Sequence, residues 1–396
     1  MSPTADGAGR AAFGGGRGGE WLLGVDSGGS GLRVALARQH QDAPTEGPKS
    51  PGEGSGAPPG PSGPPQLVGV VTCPEPVRTG PAGIDAAHMA EQLVPAVRSL
   101  LADAGTGTEQ GSAAQIAAVC VGAAGMATLG DQLRAELPGV LAEAFGVRRL
   151  ALAADAVTAY AGALGERPGA VVAAGTGMIA MGTDLASWRR ADGWGHLLGD
   201  CGSGAWIGRA GLEAALRAFD GRAGGSAALR GRAEAVFGAP LSALPGRLYP
   251  RADRAAVVAS FAPEVARCAE EDPVAAGIVR AAAREIAAAA VAVCPGGGTP
   301  SGAAEGSAAS PAGKPAHDGV RVAFTGGLFR IGEVLTRPLR AELVERLPAA
   351  QVVEAAGGPL DGALLVAARL AAGGLALPSD PALLSVVAQD GRGTAA

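Results

Sequence analysis

The 396-residue sequence predicts a mixed α/β protein built from two related halves. Two pairs of apolar segments, within 21–37 and 170–183, each enclose a glycine-rich turn, which is typical of a β-hairpin. After each hairpin, further apolar strands alternate with segments whose apolar residues recur at helical spacing. The repeated order indicates a duplicated domain.

The strands are predicted from short apolar runs that are bounded by glycine, proline or polar residues. In chain order they are 21–26, 31–37, 66–73, 116–122, 149–154, 170–174, 178–183 and 320–324. The first and second strands form one hairpin, and the sixth and seventh form the other. The remaining strands stand apart along the chain, as expected where helices connect them.

The helices are predicted where apolar residues recur every three or four positions. Asp85 stands at the N-cap position of the first helix. Asp272 followed by Pro273 marks the start of the longest helix, and Pro295 ends it. The predicted helices are 85–104, 131–145, a helix directly after Asp155, 203–220, 272–294 and 360–372.

Three stretches rich in small and polar residues, 1–19, 41–65 and 295–318, are expected to be disordered. They contain too little apolar surface to offset the entropy that ordering costs. The predicted organisation is a disordered arm, a first domain at 20–165, a second domain at 166–380 and a tail at 381–396.

Charge and hydropathy exclude several classes of protein. The formal net charge is −5, and no basic stripe is present to support nucleic-acid binding. No apolar run approaches the roughly 20 residues of a membrane span, and residues 1–19 lack the apolar core of a signal peptide. The five cysteines form neither a disulfide framework nor a zinc pattern. We therefore expect a cytoplasmic protein that binds neither nucleic acid nor membranes.

The segment 192–208, D-G-W-G-H-L-L-G-D-C-G-S-G-A-W-I-G, holds six glycines and two tryptophans. Glycines at this density do not fill a core, but they let the backbone approach a ligand closely ahead of a helix. Asp200 would present a carboxylate to a hydroxyl-rich ligand. The alternative is a glycine-rich surface loop, and the embedded Trp194, Trp206 and His196 favour a binding site.

The two hairpin turns are candidate phosphate sites, because consecutive backbone N–H groups form nests that bind anions. Ser30 and Thr176 would add hydroxyl donors. Neither turn is a P-loop, since the chain contains no G-x-x-x-x-G-K-[ST] motif. Asp26, at the end of the first strand, would either hold a hydrated Mg²⁺ or cap the turn.

Asp155 ends the apolar strand 149–154. Open α/β sheets bind ligands at the carboxyl ends of their strands. Transfer of a phosphoryl group to a sugar hydroxyl needs one carboxylate that orients and deprotonates the hydroxyl. Asp155 is therefore the candidate base, and it could at the same time cap the helix that follows.

These motifs, taken in order, resemble the actin-like ATPase superfamily of sugar kinases. They are the D-x-G-G-S turn, the strand ending at Asp155, the G-T-G turn, the G-W-G-H-L-L-G-D segment and F-T-G-G-L-F. Within that superfamily, the chain looks like the branch of N-acetylglucosamine kinase and the BadF/BadG/BcrA/BcrD ATPases, over about residues 21–375. The resemblance implies duplicated ribonuclease H-like domains of the actin and hexokinase type around an ATP and sugar cleft. It also implies ATP and Mg²⁺ as cofactors and a possible homodimer.

Carried over residue by residue, the resemblance implies a role for each motif. The ATP-binding residues would be Asp26, Gly28, Gly29, Ser30, Gly175, Thr176, Gly177, Gly326 and Gly327, with Asp26 also the Mg²⁺ ligand and Thr325 opening the adenosine motif. The sugar-binding residues would be Met178, Ile179, Gly193, Trp194, Gly195 and Asp200. Asp155 would be the base that acts on the 6-hydroxyl of the sugar.

The sugar itself stays open. Animal N-acetylglucosamine kinases have glutamate at the position of Cys201 and polar residues at those of Met178 and Ile179. N-acetylglucosamine comes first, with N-acetylmuramic acid or glucosamine as alternatives. A helix start next to Cys201 would lower the pKa of its thiol. The alternative, which the sequence favours, is that Cys201 is a small residue that fills space.

Two other functions remain as alternatives to a kinase. One is a BadF-type ATPase with a non-sugar role, such as driving electron transfer through an iron–sulfur cluster held by paired cysteines. The other is a sugar-sensing regulator, although residues 1–19 are too short and too rich in glycine for a DNA-binding domain.

Overall fold

The computed structural model describes residues 20–29, 31–39, 63–105, 115–296 and 319–388. The predicted disordered arm and the greater part of the two other predicted disordered stretches lie outside these residues, as do Ser30 and residues 389–396 of the predicted tail. The strands are β1 (Glu20–Gly28), β2 (Gly31–Gln39), β3 (Gln66–Cys73), β4 (Thr79–Gly80), β5 (Gly83–Ile84), β6 (Ile116–Ala123), β7 (Arg149–Ala154), β8 (Gly169–Ala174), β9 (Met178–Thr183), β10 (Trp188–Asp192), β11 (Arg321–Thr325), β12 (Gln351–Glu354) and β13 (Leu384–Ala388).

The helices are α1 (Ala86–Asp103), α2 (Met126–Leu129), α3 (Asp131–Phe145), α4 (Asp155–Leu164), α5 (Gly204–Phe219), α6 (Ala227–Phe237), α7 (Leu244–Leu248), α8 (Arg254–Ala259), α9 (Ala262–Cys268), α10 (Pro273–Val293), α11 (Glu333–Arg346) and α12 (Pro359–Ala371). Short 3₁₀ turns cover Leu241–Ala243 and Gly327–Ile331. In the part of the chain that the structure describes, no helix combines the length and the apolar content needed to cross a bilayer.

The predicted duplication is present in the strand order of the two large sheets. The first sheet contains the run β3-β2-β1-β6-β7, and the second is β10-β9-β8-β11-β12. In both sheets, each of the first three strands along the chain is antiparallel to its neighbour among them. The next two strands of the sheet are parallel to the first strand. Mixed α/β sheets with this repeated order confirm the predicted fold class.

The end of the chain returns to the first sheet. β13 pairs with β7 in antiparallel orientation, and α12 contacts β1 and β6. α12 also packs closely on α4: a Cβ at Gly362 would lie only 1.9 Å from the carbonyl oxygen of Thr158, so the absence of a side chain at Gly362 allows the close approach. Since α4 contacts strands of both sheets, this helix pair lies where the two halves of the molecule meet. The predicted domain boundaries themselves stay a prediction.

Local signals in the sequence explain where several helices begin. The Asp85 carboxylate accepts the N–H of His88, and the Asp272 carboxylate accepts the N–H of Ala275, as N-caps do. Ser203 caps α5 by accepting the N–H of Trp206. The strands and α-helices that were not predicted from the sequence are β4, β5, β10, β12, β13, α2, α6 to α9 and α11. They lie in short or charge-rich segments without clear apolar periodicity.

Candidate active site

A cavity of about 500 Å³ lies where the carboxyl ends of strands from both sheets meet. Segments that follow β6, β7, β8 and β11 line it, which is where open α/β sheets bind ligands. Nine of the predicted site residues share its wall: Asp155, Gly175, Thr176, Gly177, Met178, Ile179, Gly193, Asp200 and Gly326. The structure therefore brings together residues that are as far apart as 155 and 326 in the sequence.

Asp155 is the first residue of α4, directly after the buried strand β7, and Ala154 occupies the N-cap position. Its Oδ1 atom accepts the N–H of Ala156 at 2.9 Å. Burial raises the pKa of the Asp155 carboxyl above its usual range, and the negative charge of Asp26 adds to this rise. The N–H of Ala156 and the guanidinium of Arg190 act in the opposite direction. A carboxylate with a raised pKa is a stronger base than an exposed one.

The glycine turn between β8 and β9 is fixed against the start of α5. The N–H groups of Gly204 and Ala205 donate to the carbonyl oxygens of Gly175 and Thr176 at 2.9 and 3.0 Å. Inside the turn, the N–H of Gly175 donates to the carbonyl of Gly177 at 2.8 Å. The N-terminus of α5 thus holds one side of the turn at 175–177. The other side of the turn faces the cavity.

Asp200 reaches the cavity from the loop between β10 and α5. The residue is 8% exposed, and a Cβ at Gly177 would lie 2.6 Å from its Oδ2 atom, so a larger residue at 177 would displace this carboxylate. Its Oδ1 accepts the N–H of Gly195 at 3.1 Å. Burial raises the pKa of the Asp200 carboxyl, and the nearby charge of Asp192 acts in the same direction.

Two residues that were not predicted from the sequence hold this loop. Asp192 accepts the N–H groups of Asp200 and Cys201 at 2.6 and 2.8 Å. Arg190 lines the cavity, donates to the carbonyls of Asp192 and Gly193, and places its guanidinium 4.6 Å from the ring centroid of Trp194. The Asp-Gly pair at 192–193 indicates a turn, but its bonds to residues eight and nine positions further on have no local signal.

The turn between β1 and β2, unlike the turn at 175–177, does not line the cavity with the residues that the structure describes. Asp26 is 8% exposed and forms an ion pair with Arg33, whose Nε donates to Oδ2 at 3.1 Å. The register of the β1–β2 hairpin places these two residues directly opposite each other. The predicted strands 21–26 and 31–37 would have set Asp26 opposite Gly31, so the pair follows from the tighter turn of the structure, in which Gly28 pairs with Gly31. Gly28 and Gly29 do not line the cavity. Ser30 lies outside the described residues, and its role stays a prediction.

The remaining predicted residues fall at the edges of the cavity. Gly326 has φ of +103°, and a Cβ there would lie 2.2 Å from the carbonyl of Ala174, so the end of β11 approaches the end of β8 closely. Thr325 pairs with Ala173. The predicted residues that do not line the cavity, besides those of the first turn, are Trp194, which is 64% exposed, Gly195 and Gly327.

The predicted lowering of the pKa of the Cys201 thiol is wrong. Burial raises the pKa of its thiol, and the charge of Asp192 raises it further. The carboxylate of Asp192 accepts the N–H of Cys201 and so lies near its sulfur, where it opposes formation of a thiolate. All five cysteines of the chain carry free thiols.

The set of groups around the cavity suits a small hydroxyl-rich ligand. Two carboxylates, from the half-buried Asp155 and the buried Asp200, can accept hydrogen bonds from hydroxyls, and the first can also take a proton. Met178 and Ile179 add apolar surface, while Arg190 supplies a positive charge. The glycine turn at 175–177 lets a ligand in the cavity come close to the backbone. A few converging polar groups in a partly apolar cavity are typical of an active site.

Comparison with known proteins agrees with this geometry. Residues 23–367 match the model of the BadF/BadG/BcrA/BcrD ATPase family. Over 144 residues, the chain is 33% identical to an N-acetylmuramic acid/N-acetylglucosamine kinase from Clostridium acetobutylicum. This match spans 36% of the chain and 46% of the relative, which is less than half of its length.

Two solved structures cover most of the chain. A Chromobacterium violaceum protein assigned as an N-acetylglucosamine kinase is 27% identical, with a TM-score of 0.56 over 87% of this chain and 98% of that one. A Porphyromonas gingivalis protein with the same assignment is 16% identical and shares the fold, with a TM-score of 0.57 over 89% and 98%. The fold is thus the actin-like ATPase fold. Because the family model matches well over half of the chain, the chain belongs to the BadF/BadG/BcrA/BcrD ATPase family.

Proposed function

We propose that this protein is an ATP-dependent sugar kinase that phosphorylates an amino sugar, with N-acetylglucosamine as the first candidate and its 6-hydroxyl as the acceptor. The observation that carries the proposal is the shared cavity of Asp155, Asp200 and the glycine turn at 175–177. A base, a hydroxyl-binding carboxylate and a backbone turn are the parts that phosphoryl transfer to a sugar needs. The similarity to proteins named as kinases of this type supports it.

In the proposed reaction, Asp155 accepts the hydrogen bond of the attacking hydroxyl and takes its proton as the bond to phosphorus forms. Asp200 holds other hydroxyls of the sugar and so fixes the orientation of the attacking oxygen. The backbone of the turn at 175–177 approaches the phosphates. ADP leaves with the bridging oxygen, so each transfer consumes one ATP and yields one sugar phosphate.

The substrate proposal rests on the apolar part of the cavity and on the named relatives. Met178 and Ile179 would contact the methyl group of an N-acetyl substituent. N-acetylmuramic acid is the second candidate, because the Clostridium acetobutylicum relative is named for both sugars. Glucosamine, which has no acetyl group, would leave that apolar surface without a partner.

The residues at the sheet edge fit a magnesium ion carried by the nucleotide. Mg²⁺ commonly binds through one or two carboxylates together with substrate phosphates. Asp26 lies close enough to Asp155 for its charge to raise the pKa of the Asp155 carboxyl. The described residues contain no group of three potential ligands that would form a complete cage. When bound, the ion would neutralise charge on the phosphates.

The wider setting is proposed from the resemblance. The five free thiols are compatible with the reducing cytoplasm that the sequence predicts. A homodimer stays a proposal, and light scattering on the purified protein measures it directly.

The test of the function is ADP release by the purified protein with Mg·ATP, coupled to a spectroscopic readout. The acceptors are N-acetylglucosamine, N-acetylmuramic acid, glucosamine, N-acetylmannosamine and glucose. We expect ADP release that depends on N-acetylglucosamine, and mass spectrometry should identify its 6-phosphate. ATP hydrolysis that is independent of every sugar would contradict the kinase and favour the BadF-type ATPase with a non-sugar role.

A further inference from the structure

The loop at 193–201 is held by a carboxylate that does not itself line the cavity. Asp192, the last residue of β10, accepts the N–H of Asp200 with Oδ1 at 2.6 Å and the N–H of Cys201 with Oδ2 at 2.8 Å. Both oxygens of one side chain are therefore bonded to the backbone at the far end of the loop. These bonds close the loop at its base and fix the backbone from which the Asp200 side chain projects.

Arg190 holds the near end of the same loop. Its Nε donates to the carbonyl of Asp192 at 3.1 Å, and its Nη2 donates to the carbonyl of Gly193 at 2.7 Å. Its guanidinium also stacks on Trp194. Two side chains of the edge strand β10 thus hold the loop at both ends. Asp192 holds the far end as a charged acceptor, and Arg190 holds the near end with its planar group of donors.

The backbone of the two aspartates is unusual. Asp192 and Asp200 have φ angles of +61° and +54°, in the left-handed region that most L-residues avoid. Among the described residues, Leu185 is the one other non-glycine residue with positive φ. Conformations of this kind persist where the surrounding structure enforces them, and they concentrate at functional sites. The hydrogen bonds of Asp192 supply that enforcement.

We propose that Asp192, supported by Arg190, is a positioning residue that holds Asp200 in the cavity and thereby sets the affinity for the sugar. The inference rests on the proposed function, because it treats Asp200 as a ligand of the sugar. Asp192 acts through the loop backbone and does not touch the substrate. Its loss therefore weakens sugar binding, whereas the turn at 175–177 keeps the backbone hydrogen bonds from Gly204 and Ala205, in which Asp192 takes no part.

The decisive variant is Asp192→Gly. Glycine accepts a positive φ without strain, so this change removes the carboxylate and keeps the backbone conformation available. We expect the KM for the sugar to rise by about tenfold or more, the scale of a lost charged hydrogen bond, while the KM for ATP changes by less than about twofold. Asp192→Asn keeps one acceptor oxygen and should lie between Asp192→Gly and the unchanged protein.

Asp184→Gly is the matched control. Asp184 also accepts two backbone N–H groups, from Ala186 and Ser187 at 3.0 and 2.9 Å, but in the exposed turn between β9 and β10. This variant removes the same kind of bond away from the cavity and should leave both KM values unchanged.

Hydrogen–deuterium exchange measures the positioning without using activity. In Asp192→Gly, the amides of Gly195, Asp200 and Cys201 should exchange faster than in the unchanged protein, and in Asp184→Gly they should not. If the unchanged protein shows no sugar-dependent turnover, the proposed function fails, and the exchange rates still decide whether Asp192 holds the loop. Unchanged exchange in Asp192→Gly, or faster exchange with an unchanged sugar KM, would overturn the inference.

Discussion

The two glycine turns occupy equivalent places in the two sheets and differ in their surroundings. Each joins the first two strands of its sheet, β1 to β2 and β8 to β9. In the first turn, a Cβ at Gly28 or Gly29 would meet no atom within 4 Å. In the second, a Cβ at Gly177 would lie 2.6 Å from Oδ2 of Asp200. Similar sequence motifs have therefore become one turn in which Gly28 and Gly29 have open space around them and one turn in which Gly177 packs against the loop at 193–201.

The difference comes from the segment that succeeds the third strand in each sheet. After β10, the loop at 193–201 and the start of α5 fold over the second turn, and α5 donates two N–H groups to it. After β3, the chain continues into the small β4–β5 pair and α1 instead. The duplicated sheets thus provide the framework, and the segments that follow their third strands differ, so the two turns have different surroundings.

The largest effect on this comparison should come from Gly177→Ala. The added methyl group displaces the Asp200 carboxylate, since 2.6 Å is far below a van der Waals contact. We expect kcat/KM for the sugar to fall on the order of 10²-fold, the scale expected when a reacting group is misplaced by about 1 Å. Steady-state kinetics with varied sugar measures this, and unchanged kcat/KM would contradict the close packing of turn and loop.

A smaller effect should appear in the pH profile. Catalysis needs the ionised form of Asp155, so activity falls as the pH falls through the pKa of this carboxyl, which burial raises. The acid limb of kcat/KM should therefore lie above pH of about 4, where an ordinary aspartate titrates. Arg190 lowers this pKa, so Arg190→Gln should move the limb to higher pH.

The control for that profile is Arg189→Gln. Arg189 is an exposed neighbour on the same strand and does not line the cavity. Its replacement should leave the limb in place. If the acid limb of kcat/KM moved equally in Arg189→Gln and Arg190→Gln, the change in net charge, and not the position of Arg190, would account for the shift in the pKa of Asp155.

The smallest effect should come from Gly29→Ala in the open turn. Because an added Cβ meets no atom within 4 Å, we expect the KM for the sugar to stay within about twofold and the protein to remain as stable, since surface changes of this kind are usually small. Thermal unfolding and the sugar KM check this. A loss as large as that of Gly177→Ala would show that the two turns bear equally on the sugar site.

The sequence predicted the elements whose signals are local. Apolar runs and glycine turns indicated both hairpins, and Asp85 and Asp272 marked helix starts that the structure confirms. The cavity residues were predicted from the resemblance combined with the rule that ligands bind at strand ends.

Other features depend on contacts that no local pattern encodes. The return of β13 to β7 joins residues more than 200 positions apart. The role of Asp192 depends on backbone amides eight and nine residues away, which only the folded loop brings to its carboxylate. The apparent helix start beside Cys201 suggested a lowered thiol pKa, but burial and the Asp192 charge outweigh it.

Asp155→Asn tests most directly whether Asp155 is the base of a sugar kinase. The matched control is Asp131→Asn, an exposed aspartate that also opens a helix. Asparagine keeps an acceptor for the N–H of Ala156 and removes a buried charge. Since the folded-state pKa of Asp155 is raised, ionisation at neutral pH opposes folding, and the variant should unfold at an equal or higher temperature.

The measurement is the kcat for N-acetylglucosamine in both variants, together with the sugar Kd from calorimetry. We predict that Asp155→Asn lowers kcat by about 10²- to 10⁴-fold, the usual contribution of a general base, while the Kd changes little. Asp131→Asn should match the unchanged protein in both quantities. A kcat that survives in Asp155→Asn would contradict the assignment of the base.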